Sequence, residues 1–174
     1  MSDRLLLSCA LRALLLAAVC APAFAATQDA ATTYKFTDGG VQFTVPAGWE
    51  AKPDKGAGAV KVAPTAGGDA QIAFVALPSE LASADRAELV ERLGGKAGVT
   101  DLKLGEFKGD ETMGGMKVAV RPFEGRNNGR DVDGMFFLLD AEKPVFIVLV
   151  IDRERGKPLA EGAEAVINSV RKIE

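Results

Sequence analysis

The chemistry open to this chain is limited first by the side chains that it lacks. Its 174 residues contain no histidine, and both cysteines, Cys9 and Cys20, lie among the first 25 residues. Serine and thiol nucleophiles are usually activated by an imidazole base, and zinc, iron–sulfur and haem sites depend on imidazole or thiolate ligands. After residue 25, carboxylate, lysine or serine chemistry and binding of a hard metal ion remain.

Two short patterns resemble metal sites. Asp131-Val132-Asp133-Gly134 is similar to part of a calcium-binding loop, but Gly129 stands where the EF-hand pattern requires an acid or an amide. Met113 and Met116 offer soft thioether sulfur suited to Cu(I), without a third ligand. We interpret the acids as solvated residues at the start of a strand and the methionines as core-filling side chains around a turn. The sequence therefore predicts no metal and no cofactor.

Catalysis by carboxylates would need two acids at a defined separation. The chain has 24 acidic residues, so many pairs are conceivable and none is distinguished by spacing. We predict no catalytic residue and no enzyme activity, with a carboxylate-dependent hydrolase as a remaining alternative.

Two basic clusters are the candidate binding residues. One lies at a predicted hairpin tip and the other between the last long strand and the last helix. They are suited to an acidic partner or to lipid headgroups, whereas the alternative is solvated turn charge partly neutralised by Asp131 and Glu154. The candidate partner-binding residues are Arg126, Asn127, Asn128, Arg130, Arg153, Arg155 and Lys157.

The start of the chain resembles a secretory signal peptide. Arg4 and Arg12 give a basic region, residues 13–20 are mostly apolar, and Ala23-Phe24-Ala25 is a small-x-small cleavage site. The apolar run is much shorter than the roughly 20 residues that a membrane-spanning helix needs. We predict a cleaved signal peptide over 1–25, a flexible leader over 26–33, one domain over 34–174, a periplasmic or secreted location, and no transmembrane segment after cleavage.

The overall charge is mildly acidic. With 21 basic and 24 acidic residues the net charge is −3, which argues against nucleic acid as a partner because such binding requires a basic face.

Alternating apolar and polar residues predict a mostly antiparallel sheet. Strands are expected over 34–37, 41–45, 59–63, 71–77, 102–108, 117–123, 132–140 and 145–152, with a loop over 50–58. Val145–Ile151 is apolar at every position, which indicates a central strand covered on both faces. Helices are expected over about 84–93, capped by Ser83, and from Pro158 onward along a stripe that reaches Ile173. Trp49 is expected to pack on the core rather than to anchor a partner. The predicted class is α+β, with helices on the faces of the sheet.

The element order and two segments, Val45-Pro46-Ala47-Gly48-Trp49 and Ile167-Asn168-Ser169-Val170, resemble the PsbP-like superfamily. This resemblance covers residues 34–174 and implies an α/β/α sandwich. Members include the photosystem II extrinsic subunit PsbP and DcrB-type envelope proteins, and characterised relatives are assembly factors, chaperone-adaptors or regulatory binders rather than enzymes. The export signal departs from a branch that chaperones toxins in the cytoplasm.

The sequence thus predicts an exported, non-catalytic accessory protein of the cell envelope, acting as an adaptor or assembly factor for an envelope protein. A carrier of a small apolar ligand or lipid is the second alternative, because an apolar sheet can leave a cavity beneath a helix. Oligomeric state and the choice between periplasm and full secretion stay open.

Overall fold

Residues 30–54 and 58–174 are described by a computed structural model, except for the side chains of Ser83 and Asp110. The predicted signal peptide lies outside the described residues. There are two helices, α1 (Arg86–Gly94) and α2 (Ala160–Asn168), and eleven strands. The strands are β1 (Thr32–Phe36), β2 (Val41–Val45), β3 (Trp49–Asp54), β4 (Ala59–Pro64), β5 (Ala70–Ala76), β6 (Thr100–Leu104), β7 (Lys108–Met113), β8 (Met116–Asn127), β9 (Arg130–Leu139), β10 (Val145–Asp152) and β11 (Arg171–Lys172).

Antiparallel pairing joins these strands into two sheets. The large sheet has the order β3-β4-β5-β10-β9-β8-β6, with β7 also paired to β8, and the small sheet has the order β1-β2-β11. β10 lies in the middle of the large sheet, where the continuous apolarity of Val145–Ile151 placed it. The predicted α+β class, a mostly antiparallel sheet with helices on its faces, is confirmed.

Helix α1 covers one face of the large sheet. Its buried side chains, Leu89 and Val90, belong to the same apolar core as Phe136, whose ring stacks between those of Phe123 and Phe146 at centroid distances of 4.2 and 5.6 Å. This packing fixes α1 over the centre of the sheet.

Helix α2 and the small sheet cover the other face. Phe43 of β2 stacks on Phe74 of β5 at 4.3 Å, and Val166 of α2 is fully buried in the same core. Trp49 is 5% exposed and belongs to that core, in agreement with the sequence-based expectation. Neither described helix combines the length and apolarity that crossing a membrane requires.

Both helix boundaries differ from the predicted ones. The side chain of Asp85, rather than Ser83, caps α1 by accepting a hydrogen bond from the backbone N–H of Glu88. α2 ends at Asn168, so the stripe to Ile173 was wrong as a helix, because the chain leaves α2 to pair β11 with β2. The Ser169 hydroxyl stabilises this exit by donating to the Val166 carbonyl and accepting from the Thr44 N–H.

Three strand predictions also require correction. β1 begins at Thr32, so the last two residues of the predicted leader are paired with β2. Residues 50–54 belong to β3 instead of a loop, and β7 was missed altogether. β3 and β7 each pair with one neighbouring strand only, and exposed charged residues such as Lys52, Asp54 and Glu111 gave both segments the composition of loops.

Candidate functional site

Helix α2 crosses the large sheet and leaves part of its face uncovered. Near the start of α2, Gly162 lies against the Trp49 indole, and just beyond its end the Val170–Arg171 backbone lies against Gly114 in the β7–β8 turn. On this face β9 carries both the buried Phe137, 5% exposed, and Met135, 42% exposed. The face around Met135 is therefore left uncovered.

The strand register arranges the side chains of this face in rows. Phe137 and Ile147 form a covered apolar row, and the next row places Met135 between Pro122 and Leu149. Beyond it, Glu124, Asp133 and Ile151 form a third row with two carboxylates. Along the strands, this face thus changes from a covered apolar row to an open apolar row and then to a charged row.

The open apolar row forms the floor of a cleft of about 740 Å³. Met135 is 42% exposed, and among the described residues it is the one large hydrophobic side chain classed as exposed. One wall is the last part of α2 and the other is β6 with the end of β7; the side chains involved include Glu164, Ile167, Asn168, Lys103, Leu104 and Met113. Such a surface suits an apolar group of a ligand or partner.

Arg153 forms ion pairs with the two carboxylates at the charged end of the cleft. Its Nη2 lies 2.6 Å from Asp133 Oδ1 and 3.2 Å from Glu124 Oε2. The hydrogen bond to Asp133 is the main reason that the pKa of Arg153 is raised above its usual value. Both carboxylates are therefore committed to an ion pair with a permanent cation.

The two predicted basic clusters meet at this end of the sheet. The Arg153 N–H donates to the Asp131 carbonyl at 3.0 Å, which joins the loop after β10 to the β8–β9 hairpin. The Arg130 guanidinium lies 2.9 Å from Asp69 and 3.6 Å from Asp152, and Arg126 lies 3.5 Å from Asp131. Most of the arginine charge that the sequence offered to a partner is thus paired within the chain.

The seven candidate residues divide into three groups. Arg126, Arg130, Arg153 and Arg155 line one depression of about 300 Å³, and Asn127 and Asn128 line an adjoining polar one of about 380 Å³ with Arg130. Lys157 lies apart from both, in the turn before α2. In residues 30–54 and 58–174, Arg155 and Lys157 form no ion pair within 4 Å. Partner binding by these seven residues stays a prediction.

Asp152 organises this end of the sheet, and the sequence analysis missed it. Its buried carboxylate accepts hydrogen bonds from the N–H groups of Arg155 (2.9 Å) and Glu154 (3.0 Å). The bond from Arg155 is the main cause that holds the pKa of Asp152 below its usual value, and Arg130 adds to it. The sequence signal that could have identified Asp152 is an acid at the end of a central strand, followed by a turn that contains glycine.

The residues of the two metal-like patterns have other partners. Asp131 and Asp133 are ion-paired with Arg126 and Arg153, respectively. Met116 is buried and pairs across the turn with Met113, which lines the cleft. Within the described part of the chain, no three acids are grouped as a metal ion would require.

Comparison with known proteins identifies the fold. No family model matches the sequence, and no curated protein sequence matches it. The solution structure of cyanobacterial PsbP (CyanoP) from Synechocystis sp. PCC 6803 matches with a TM-score of 0.62 at 16% identity, covering 83% of this chain and 94% of that one. LpqN of Mycobacterium tuberculosis, described as involved in cell envelope biogenesis, matches with a TM-score of 0.50 at 12% identity, covering 83% and 86%. The chain has a PsbP-like fold, as the resemblance implied.

Proposed function

We propose that this chain is an exported, non-catalytic accessory protein of the cell envelope that binds a partner polypeptide in the cleft beside α2. One observation carries the proposal: an apolar row of the central sheet, with the exposed Met135 at its middle, lies beside the covered row of Phe137 and Ile147. An exposed apolar surface that continues from a covered core is typical of a site that a partner completes.

Export and location follow from the predicted signal peptide over 1–25 and are part of the proposal. A periplasmic or secreted location agrees with the described role of LpqN, which shares the fold. The absence of histidine supports a role in binding rather than in catalysis. The acids of the cleft point the same way, since Glu124 and Asp133 are ion-paired with Arg153, whereas a general acid normally needs an isolated carboxyl group.

The cleft itself also favours a second candidate function, a carrier of a small apolar ligand. Its volume falls within the roughly 300–1,000 Å³ of ligand sites. A carrier, however, normally buries about 70–90% of its ligand, and this cleft is open along the side where Met135 is exposed. Native mass spectrometry after gentle purification distinguishes the two, because a carrier retains a bound molecule of defined mass.

In this proposal, the end of the large sheet that carries the arginine ion pairs, together with the turn before α2, forms a secondary contact region. Arg155 and Lys157 are the residues best able to bind an acidic group, because their charges are not in ion pairs with described acids. We expect reversal of both charges to weaken partner binding less than a change at Met135 does, since exposed charges contribute little.

Site-specific photocrosslinking in intact cells tests the proposal. A benzophenone side chain in place of Met135 should give one discrete adduct with an envelope protein. The same group in place of Lys61, which is exposed on β4, should give none. The adduct should disappear when Pro122 is also replaced by Lys, because both residues lie in the open row. Equal crosslinking from positions 135 and 61 would contradict the proposal.

A further inference from the structure

The cleft beside α2 combines an apolar row with a row that carries two carboxylates. We infer that its occupant is an extended segment of a partner protein with an apolar side chain two residues before a lysine or arginine. The inference rests on the proposed function, which requires a partner in the cleft but does not specify its sequence.

The first argument is the balance of charge around the cleft. Its lining includes three carboxylates, Glu124, Asp133 and Glu164, and one ammonium group, Lys103. Arg153 interacts with two of these acids but offsets only one negative charge. Glu164, on the wall formed by α2, has no ion pair among residues 30–54 and 58–174. A cation beside Glu164 therefore gains an interaction that the chain itself does not supply.

The second argument is the orientation of α2. The wall residues Glu164, Ile167 and Asn168 lie in its last turn and a half, at the negative end of the helix dipole. Helices commonly place lysine or arginine in the last turn, but α2 has no basic residue there. A basic side chain from a partner would provide this missing favourable interaction with the negative end of the dipole, whereas a phosphate or carboxylate headgroup would be repelled.

The third argument is the spacing of the rows. Met135 and Asp133 lie on the same face of β9, two residues apart, which corresponds to about 7 Å along the strand. Side chains i and i+2 of an extended segment project on one side with the same spacing. A segment that runs antiparallel to β9 with its apolar residue over Met135 therefore brings residue i+2 over Asp133, in the same cleft that Glu164 lines.

A peptide-display selection tests the inference on the full mature chain. Random twelve-residue peptides selected on the protein should be enriched in an apolar residue two positions before Lys or Arg. The enriched peptides should bind the Met135→Lys variant at least roughly tenfold more weakly, because its ammonium occupies the apolar row and repels the basic residue. Raising the salt concentration should also weaken binding, since the charges are exposed.

Charge reversal at Glu164 separates this inference from the proposed function. Selection on Glu164→Lys should lose the preference for basic residues, while Glu161→Lys, an exposed change in the same helix outside the cleft lining, should keep it. Apolar enrichment without a basic preference, or a basic preference that survives Glu164→Lys, would overturn the inference and leave cleft binding intact. Peptides that bind Met135→Lys as well as the original chain would overturn both, as would retention of an anionic lipid in place of any peptide.

Discussion

Met135 and Leu149 are direct partners across β9 and β10, yet 42% of Met135 is exposed against 6% of Leu149. The two side chains point to the same face of the sheet and belong to one row. Leu149 belongs to the core cluster that contains Val166 and Ile167 of α2, whereas Met135 belongs to neither core cluster. The edge of the covered core therefore runs through a single cross-strand pair on the floor of the cleft.

Alanine substitutions in this pair should have unequal effects on stability. Leu149→Ala removes a buried side chain and should lower the free energy of unfolding by about 2–5 kcal/mol. Met135→Ala should lower it by less than about 1 kcal/mol, because much of the side chain already contacts water. Urea denaturation of the two variants measures both values. Equal losses would indicate that the cleft is filled or covered within the chain itself.

A second prediction concerns the contact that places α2 on the sheet. A Cβ at Gly162 would lie 2.6 Å from Trp49 Nε1, and the indole is buried and unable to move freely. Gly162→Ala should therefore destabilise the protein by about 1–3 kcal/mol, although alanine alone favours a helix.

Gly95→Ala is the matched control, because Gly95 ends α1 with φ −60° and a Cβ there would meet nothing closer than 3.7 Å. That variant should be neutral or stabilised by up to about 1 kcal/mol. Thermal unfolding of both variants gives the comparison, and a stabilised Gly162→Ala would contradict the close approach of Trp49.

The turn that borders the cleft provides a third prediction. Gly114 and Gly115 both have positive φ, at 54° and 80°, but a Cβ at Gly114 would lie 2.1 Å from the Val170 carbonyl oxygen while Gly115 faces open space. Gly115→Ala should cost about 1–2 kcal/mol from backbone strain alone. Gly114→Ala should cost about 1–3 kcal/mol more, because the turn must also move away from the end of α2. Chemical denaturation of both variants tests this order, which equal losses would contradict.

The fourth prediction concerns pH. The backbone hydrogen bonds to Asp152 hold its pKa below 3.8 in the folded chain, so this group stabilises the fold at pH values above its unfolded pKa. The stabilisation should decline as the pH falls below about 4 and through the folded pKa.

Asp152→Asn keeps an oxygen that accepts from the Glu154 and Arg155 N–H groups but removes the titrating charge. The difference in free energy of unfolding between the original chain and this variant should therefore shrink between pH 5 and about pH 2. A difference that stays constant across that range would show that the charge of Asp152 does not contribute.

The elements that could be predicted from the sequence are those whose burial or backbone conformation is evident from their own residue types. Val145–Ile151 is apolar throughout and forms the central strand, and Asn128-Gly129 forms the tight β8–β9 turn with φ values of 50° and 79°. Both features depend on local pattern or on backbone conformations that few residues adopt. The packing of Trp49 could also be predicted, because a large indole after a strand is seldom left in water.

The end of α2 and the cleft could not be predicted in this way. Val170 and Ile173 continue the helical spacing of the apolar stripe, yet the pairing of β11 with β2 draws the chain out of the helix at Asn168. The residues next to Met135 in the sequence do not distinguish it from a covered residue. Its exposure depends on where α2 crosses the sheet, which is a tertiary property.

The position of β10 has a consequence for how the protein acquires its structure. β10 pairs with β5 on one side and with β9 on the other, and Ala76 of β5, for example, pairs with Val145. The inner edges of β5 and β9 therefore stay unpaired until β10 has been synthesised. A growing chain that has not yet reached β10 exposes two apolar strand edges, which are sites for self-association. Pairing between such distant segments also slows folding, so this protein should fold on a scale of milliseconds to seconds and should depend on protection from aggregation until its C-terminal third is complete.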